Sequence, residues 1–202
     1  ASVAPNNPEA ATQEAVRAVS QLGACGVQIF SNIAGKPLDL PELLPFFEEM
    51  HRRDVALFLH PARGADMTDY ASEPKSRYEI WWTFGWPYET SAAMARMVFS
   101  GFFDKWPNLK ILTHHMGAMA PYFEGRVGWG WDVLGSRTSD EDYSVILERM
   151  KPKRPIDYFR NFYADTALFG GTAATSFTVD SATQITATSP AGRADRSIAS
   201  RR

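Results

Sequence analysis

Residues 108–117 read Asn-Leu-Lys-Ile-Leu-Thr-His-His-Met-Gly: an apolar run from Leu109 to Thr113 that stops on two imidazoles and a glycine. Residues 54–61, Asp-Val-Ala-Leu-Phe-Leu-His-Pro, repeat the layout, with Val55 to Leu59 followed by His60-Pro61. Short continuous apolar runs bounded by turn residues fit strands buried on both faces of a parallel sheet. A third run, Gly26 to Phe30, is closed by the turn-like stretch Ser31 to Pro37, and a fourth, Phe162 to Thr166, carries Asp165. Helical patterns separate them. From Thr12, the residues Ala15, Val16, Val19 and Leu22 recur at helical spacing and Gly23 supplies a stop. Asp39 is placed to cap a second helix, with Pro41 in its first turn, running through Leu44, Phe47 and Met50 to Arg53. Further helical material is expected at Tyr78 to Phe84, Thr90 to Phe103, Asp140 to Met150 and Pro155 to Asn161. This alternation predicts the α/β class, as a partial TIM (β/α)8-type barrel over residues 1–170. Residues 1–10 are read as a loose lead-in. Residues 172–190 are rich in Thr, Ser and Ala with no helix signal, so residues 171–202 are expected to form a short β-rich C-terminal tail that ends in a basic, frayed stretch.

Composition narrows the function classes. The 202 residues carry 21 basic and 23 acidic side chains, a formal charge of -2, and the cations are scattered along the chain. No field of one sign results, so nucleic acid is not expected as a partner. No apolar run approaches the ~18 to 20 residues of a membrane helix, and no membrane partner is expected. Cys25 is the single cysteine, with no Cys-x-x-Cys spacing, which fits a reducing, cytoplasmic compartment.

Four histidines occur, and His60, His114 and His115 all fall at strand ends. The carboxyl ends of barrel strands form the rim on which active sites gather. Imidazole is both the commonest metal ligand and the usual proton carrier near neutral pH, so residues from neighbouring strand ends could share an ion and its water, or else cap a loop. Side chains alternate along a strand, so His114 and His115 are expected to face opposite ways and one of them to be structural, with the inward one left open. His51, among charged neighbours, is read as a solvated helix residue. Asp165 could ligate a metal, orient a histidine or form a turn. Trp81, Trp82, Phe84, Trp86 and Tyr88 could wall a pocket for a planar substrate or fill a core. Arg126 could hold a carboxylate through its guanidinium fork or pair with Glu124.

Taken as an ordered set, Gly26 to Asp39 (GVQIFSNIAGKPLD), the Leu-His-Pro ending at Pro61, Trp106 to Arg126 (WPNLKILTHHMGAMAPYFEGR) and Phe162 to Ala167 (FYADTA) resemble the amidohydrolase-related family. Aminocarboxymuconate semialdehyde decarboxylase and gamma-resorcylate decarboxylase typify that family. The resemblance runs from about Ala11 to Thr172. It implies a metal-dependent barrel that removes carboxylate from an aromatic or unsaturated carboxylic acid; a hydrolase of the same family and a non-catalytic scaffold fragment are the alternatives. It further implies His60, with Asp165, as metal ligands, zinc being the expected ion and manganese the second choice. His115 is implied as the catalytic group that activates water or delivers a proton, and Trp82 and Arg126 as substrate-binding residues. The partner implied is a small carboxylic acid, with a homodimer left open. Two family features are missing from the 202 residues: the His-x-His pair of the first strand and the Ser/Thr-Asp-x-Pro of the last. Weak or absent metal binding, and with it a weakly active or inactive chain, is therefore expected, since one imidazole and one carboxylate cannot satisfy a four-coordinate ion. Beyond Gly170 the sequence resembles an immunoglobulin-like IPT/TIG β-segment.

Overall fold

The computed structural model describes residues 1–138 and 140–167; the IPT/TIG-like segment lies outside them. Four strands form one parallel sheet in the order β1 (Gly26–Phe30), β4 (Ala56–His60), β5 (Ile111–Thr113), β6 (Phe162–Ala164). Spatial order follows chain order, as in the successive βα units of a (β/α)8 barrel. The sheet thus supplies four neighbouring strands of the expected barrel.

Within the described residues every expected strand and helix is present, most with shifted bounds. Helix α1 spans Pro8–Leu22, four residues earlier than its apolar periodicity indicates, because Asn7 Oδ1 accepts from Ala10 N and Pro8 is preorganised in the first turn. The lead-in is not loose: Ser2 bridges Gln28, Val3 N donates to Gln28 O at 3.0 Å, and Val3 is buried. Ser31 to Pro37 folds as a small hairpin, β2 (Asn32–Ile33) with β3 (Lys36–Pro37). Asp39 caps nothing; it pairs with Arg96 at 2.9 Å, and a 3-10 turn at Pro41–Leu43 leads into α2 (Leu44–Arg52). His51 at the end of α2 is partly buried rather than solvated.

Between β4 and β5 lie α3 (Ile80–Thr83), α4 (Gly85–Phe99) and α5 (Phe102–Lys105), where Gly101 in a left-handed conformation breaks the predicted single helix. Between β5 and β6 come α6 (Glu124–Asp132), α7 (Ser144–Met150) and a 3-10 segment at Pro155–Asn161. Helix α6 has no sequence signal, since Gly125, Gly128 and Gly130 give it the composition of a turn. A two-pronged Arg154–Asp132 ion pair, at 3.0 and 2.6 Å, joins its end to the 3-10 segment.

Burial sorts the two faces of the sheet. Val27, Ile29, Leu57, Leu59, Ile111 and Thr113 are fully buried in the core that also holds Phe46, Phe47, Met97 and Phe102 from the helices. The alternate residues Gln28, Phe30, Phe58, His60 and Leu112 are only partly buried and share the opposite face. Gly26 is fixed by close approach: a Cβ there would lie 2.5 Å from the Phe58 ring and 2.8 Å from Ala56 O.

Glu49 on α2 accepts from Arg52 at 2.8 and 2.7 Å and from Arg53 at 2.5 Å, and these hydrogen bonds hold its carboxyl pKa at about 2, far below the ordinary 4.5. A depressed folded pKa means that the unfolded chain binds the extra proton first, so this contribution is complete above 4.5 and is lost as pH falls toward 2. Glu49→Gln should flatten the acid limb of the stability curve in that interval while leaving the slope above pH 5 unchanged, as read by urea melts at stepped pH.

Candidate active site

The registry between β4 and β5 places Phe58 beside Leu112 and Leu59 beside Thr113. His114 N then donates to Leu59 O, so His114 follows Leu112 on the face that carries His60. The His60 and His114 rings lie 5.1 Å apart between centroids. Strict alternation would send His115 to the helix-covered face. It does not, because the strand ends at Thr113 and the chain turns through left-handed conformations at His115 (φ 59°), Met116 (φ 56°), Gly117 (φ 74°) and Ala118 (φ 58°). The His115 ring stands 5.8 Å from His60 and 6.2 Å from His114. The expectation that one imidazole of the pair is kept away from the site is therefore corrected: both join His60. Non-glycine residues in this region carry a cost of about 1 kcal/mol or more each, which the surrounding contacts must offset.

The contacts that hold this turn converge on Asp165, at the end of β6. Its Oδ2 accepts from His114 Nδ1 at 2.9 Å, and its Oδ1 accepts from Met116 N at 3.2 Å and from Ala167 N at 3.0 Å. Burial pushes the Asp165 carboxyl up, but the hydrogen bonds from His114, Ala167 and Met116 together prevail and hold it below the ordinary value. Asp165 thus sits on His114, a residue to which the sequence reading gave no separate role.

All three imidazoles use Nδ1 in the same manner. His60 Nδ1 meets Pro61 O at 2.8 Å, His114 Nδ1 meets the Asp165 carboxylate, and His115 Nδ1 meets Ala167 O at 3.2 Å. These oxygens only accept, so Nδ1 carries a proton in each ring, and in a neutral ring the lone pair is left on Nε2. The donor set includes His60, His114 and Asp165, yet among the described residues no group of three or more His, Cys, Asp or Glu side chains is arranged to hold a metal ion. These residues alone do not complete a metal site.

Trp86 on α4 closes the cluster from one side. Its ring stacks on His115 at 5.8 Å with an 18° tilt, meets His60 edge-on at 5.4 Å, and its Nε1 donates to Arg63 O at 3.0 Å. Burial pushes the His60 pKa below its ordinary value and outweighs the hydrogen bond to Pro61 and the Asp165 charge, which act the other way. Trp82 is more distant, 6.0 Å from Trp86, 37% exposed, and donates Nε1 to Glu79. Arg126 is exposed on α6 and lines a separate hollow of about 330 Å³ with Trp129 and Arg137. A larger cavity, about 900 Å³, flanks β5 and β6 and is lined by His51, Lys110, Thr113, Met116 and Tyr163 but not by His60, His114 or His115.

A parallel βα sheet with imidazoles and a carboxylate at the carboxyl ends of neighbouring strands defines the class of barrel enzymes that work from the strand rim. The family profile described as Amidohydrolase matches residues 1–173. The chain belongs to that amidohydrolase family. It is 34% identical over 158 residues to 2-amino-3-carboxymuconate-6-semialdehyde decarboxylase of Dictyostelium discoideum, an alignment that covers 78% of this chain and 40% of the relative. Gamma-resorcylate decarboxylase of Rhizobium radiobacter is 31% identical over 175 residues, covering 80% of this chain and 48% of the relative. Among solved structures, 5-carboxyvanillate decarboxylase of Novosphingobium aromaticivorans, with bound manganese and 3-methoxy-4-hydroxy-5-nitrobenzoic acid, superposes with a TM-score of 0.73 at 30% identity. That superposition covers 89% of this chain and 50% of the other. The chain spans about half the length of the curated relatives it matches.

Among the described residues, no helix is long and apolar enough to cross a membrane. The sequence reading missed His114 as a site residue in its own right, and named Trp86 only within an aromatic group. The registry that sets His114 opposite His60 is invisible before the strands are paired. For Trp86 the available signal was its spacing three residues before Glu89, on a helix that follows the His60 strand.

Proposed function

We propose that this chain carries the proton-handling part of a carboxy-lyase acting on an aromatic or unsaturated carboxylic acid. The observation that supports the reading best is the clustering of His60, His114 and His115 against the flat Trp86 ring. A planar acid stacked beside that ring would meet imidazoles able to supply a proton. In the reaction the bond between the substrate carbon and its carboxylate breaks, and carbon dioxide leaves. The electron pair stays on that carbon, and His115 in its protonated form delivers the proton there; solvent then reprotonates the ring. Trp82 extends the aromatic wall; Arg126, implied by the resemblance for the acid group, lines the separate hollow and has no part in this step. His60 and Asp165 are assigned to the metal side of the site, Asp165 through its hold on His114.

A divalent ion would supply Lewis-acid polarisation of the substrate. Manganese is favoured by the carboxyvanillate relative and zinc by the imidazole-rich donors. The incomplete donor set means that no step above depends on the ion. A cytoplasmic enzyme with a small carboxylic acid as its partner, and a homodimer as its assembly, belong to the same reading.

The test is product analysis with hydroxybenzoic acids and their esters, with added manganese or zinc. Carbon dioxide release, reduced about 10² to 10⁴-fold in His115→Asn, is the expected result. Ester cleavage without carbon dioxide would replace the lyase by a hydrolase. No turnover of either class, in a chain shown to be folded, would overturn the assignment for this polypeptide.

A further inference from the structure

Beneath the His60 strand end lies a second carboxylate network that the proposed chemistry does not use. Glu89 projects from α4 one turn after Trp86 and is partly buried. Its Oε1 accepts from Asn32 Nδ2 at 2.7 Å and from Ser31 Oγ at 3.2 Å. Ser31 is buried, and its Oγ in turn accepts from Ala62 N at 2.9 Å, so its only hydroxyl proton is committed to Glu89. Asn32 is oriented with equal definition: Oδ1 accepts from Gly35 N at 2.9 Å inside the hairpin, which turns Nδ2 toward Ala62 O at 3.2 Å and toward Glu89. Ala62 is therefore gripped at both its N–H and its carbonyl.

The N–H of Ala62 and the carbonyl of Pro61 belong to one planar peptide unit. The carbonyl of that unit is the oxygen that meets His60 Nδ1 at 2.8 Å. We propose that Glu89 is a positioning residue for His60, acting through Ser31 and the Pro61–Ala62 peptide to fix the ring's tautomer and aim. Along this path every donor points toward Glu89: imidazole N–H to carbonyl, amide N–H to hydroxyl, hydroxyl to carboxylate. Hydrogen bonds aligned in one sense polarise one another, and a carboxylate at the end of the chain strengthens the sequence. The result is an Nδ1–H form whose lone pair is presented at Nε2, the arrangement that a carboxylate bonded directly to an imidazole gives in other sites. Helix α4 thereby serves the rim twice, with Trp86 over the ring and Glu89 beneath its backbone. The inference rests on the proposed function in giving His60 a place at the site, and its readout does not need turnover.

The experiment is ¹⁵N NMR of the full 202-residue chain labelled at histidine, without added metal, with His60 assigned by its loss in His60→Asn. The wild-type chain should show the two ring nitrogens of His60 well separated, in the order of the Nδ1–H form. Glu89→Gln keeps an oxygen acceptor for Asn32 and Ser31 and should retain that pattern. Glu89→Ala should draw the two resonances toward each other as the second tautomer gains population, with the amide signals of the sheet core unmoved. Ser31→Ala, a smaller change that leaves the Glu89–Asn32 bond in place, should do the same and serves if Glu89→Ala does not fold. A folded Glu89→Ala or Ser31→Ala chain whose His60 resonances match wild type would overturn the proposal. Absence of carbon dioxide release with these shifts intact would count against the lyase reading alone.

Discussion

Asp165→Ala is expected to lower the stability of the fold by about 2 to 4 kcal/mol and to free the His114 ring, the first effect read by urea unfolding and the second by ¹⁵N histidine NMR. The substitution removes one acceptor for three donors, His114 Nδ1, Met116 N and Ala167 N. It also removes what offsets the left-handed backbone at His115, Met116 and Ala118. With that anchor gone, the turn should relax toward extended geometry and carry His115 off the His60 face.

Asp165→Asn separates the two roles. The amide oxygen still accepts from the backbone of Met116 and Ala167, so the stability loss should stay below about 1 kcal/mol. The amide nitrogen, however, is a donor where His114 Nδ1 needs an acceptor, and the ring should switch to its Nε2–H form. Loss of the correct tautomer by the same kind of exchange costs about 10⁴-fold in the serine-protease triad, which sets the scale expected for any turnover that uses His114. An Asn variant that keeps the wild-type His114 resonances would show that the carboxylate does not set the tautomer.

The second large effect is expected at Trp86. Trp86→Ala opens the covered side of His60 and His115 and leaves Arg63 O without its indole donor. Truncating a well-packed aromatic costs about 3 to 5 kcal/mol, and the lower end applies because Trp86 is only partly buried. Burial is the leading cause of the depressed His60 pKa, so uncovering the ring should return it upward toward 6.5, as followed by NMR titration of the histidine. The sign is fixed by water: a hydrated imidazolium is easier to form than a buried one. Trp86→Phe should retain most of the depression, while Trp82→Ala should leave it nearly intact because Trp82 reaches the imidazoles only through Trp86.

Much of the architecture is legible along the chain. Each strand is a short apolar run with a turn signal, and Gly26–Phe30 begins and ends where its composition changes. Helix bounds are less legible where capping and chain breaks override periodicity, as at Asn7 and Gly101. Helix α6 escapes the reading altogether, because its glycines offer no helical preference and its hold on the fold comes from tertiary contacts, Trp131 against Phe99 and Phe159 together with the Arg154–Asp132 pair.

What the sequence by itself determined is the class of fold and the positions of the polar groups at the strand ends: an apolar run must be buried, and the residue that ends it is delivered to the rim. It located His60, His114, His115 and Asp165 there, and its motif order carried the family. Only the tertiary structure decided which groups meet. Pairing β4 with β5 set His114 opposite His60, the left-handed turn brought His115 back beside them, and the packing of α4 placed Trp86 over the rings and Glu89 under the loop. The physical reason is that burial depends on a residue's own chemistry and its near neighbours in the chain. Hydrogen bonds and ring contacts between residues 23 to 58 positions apart exist only after strand registry and backbone handedness have been fixed together.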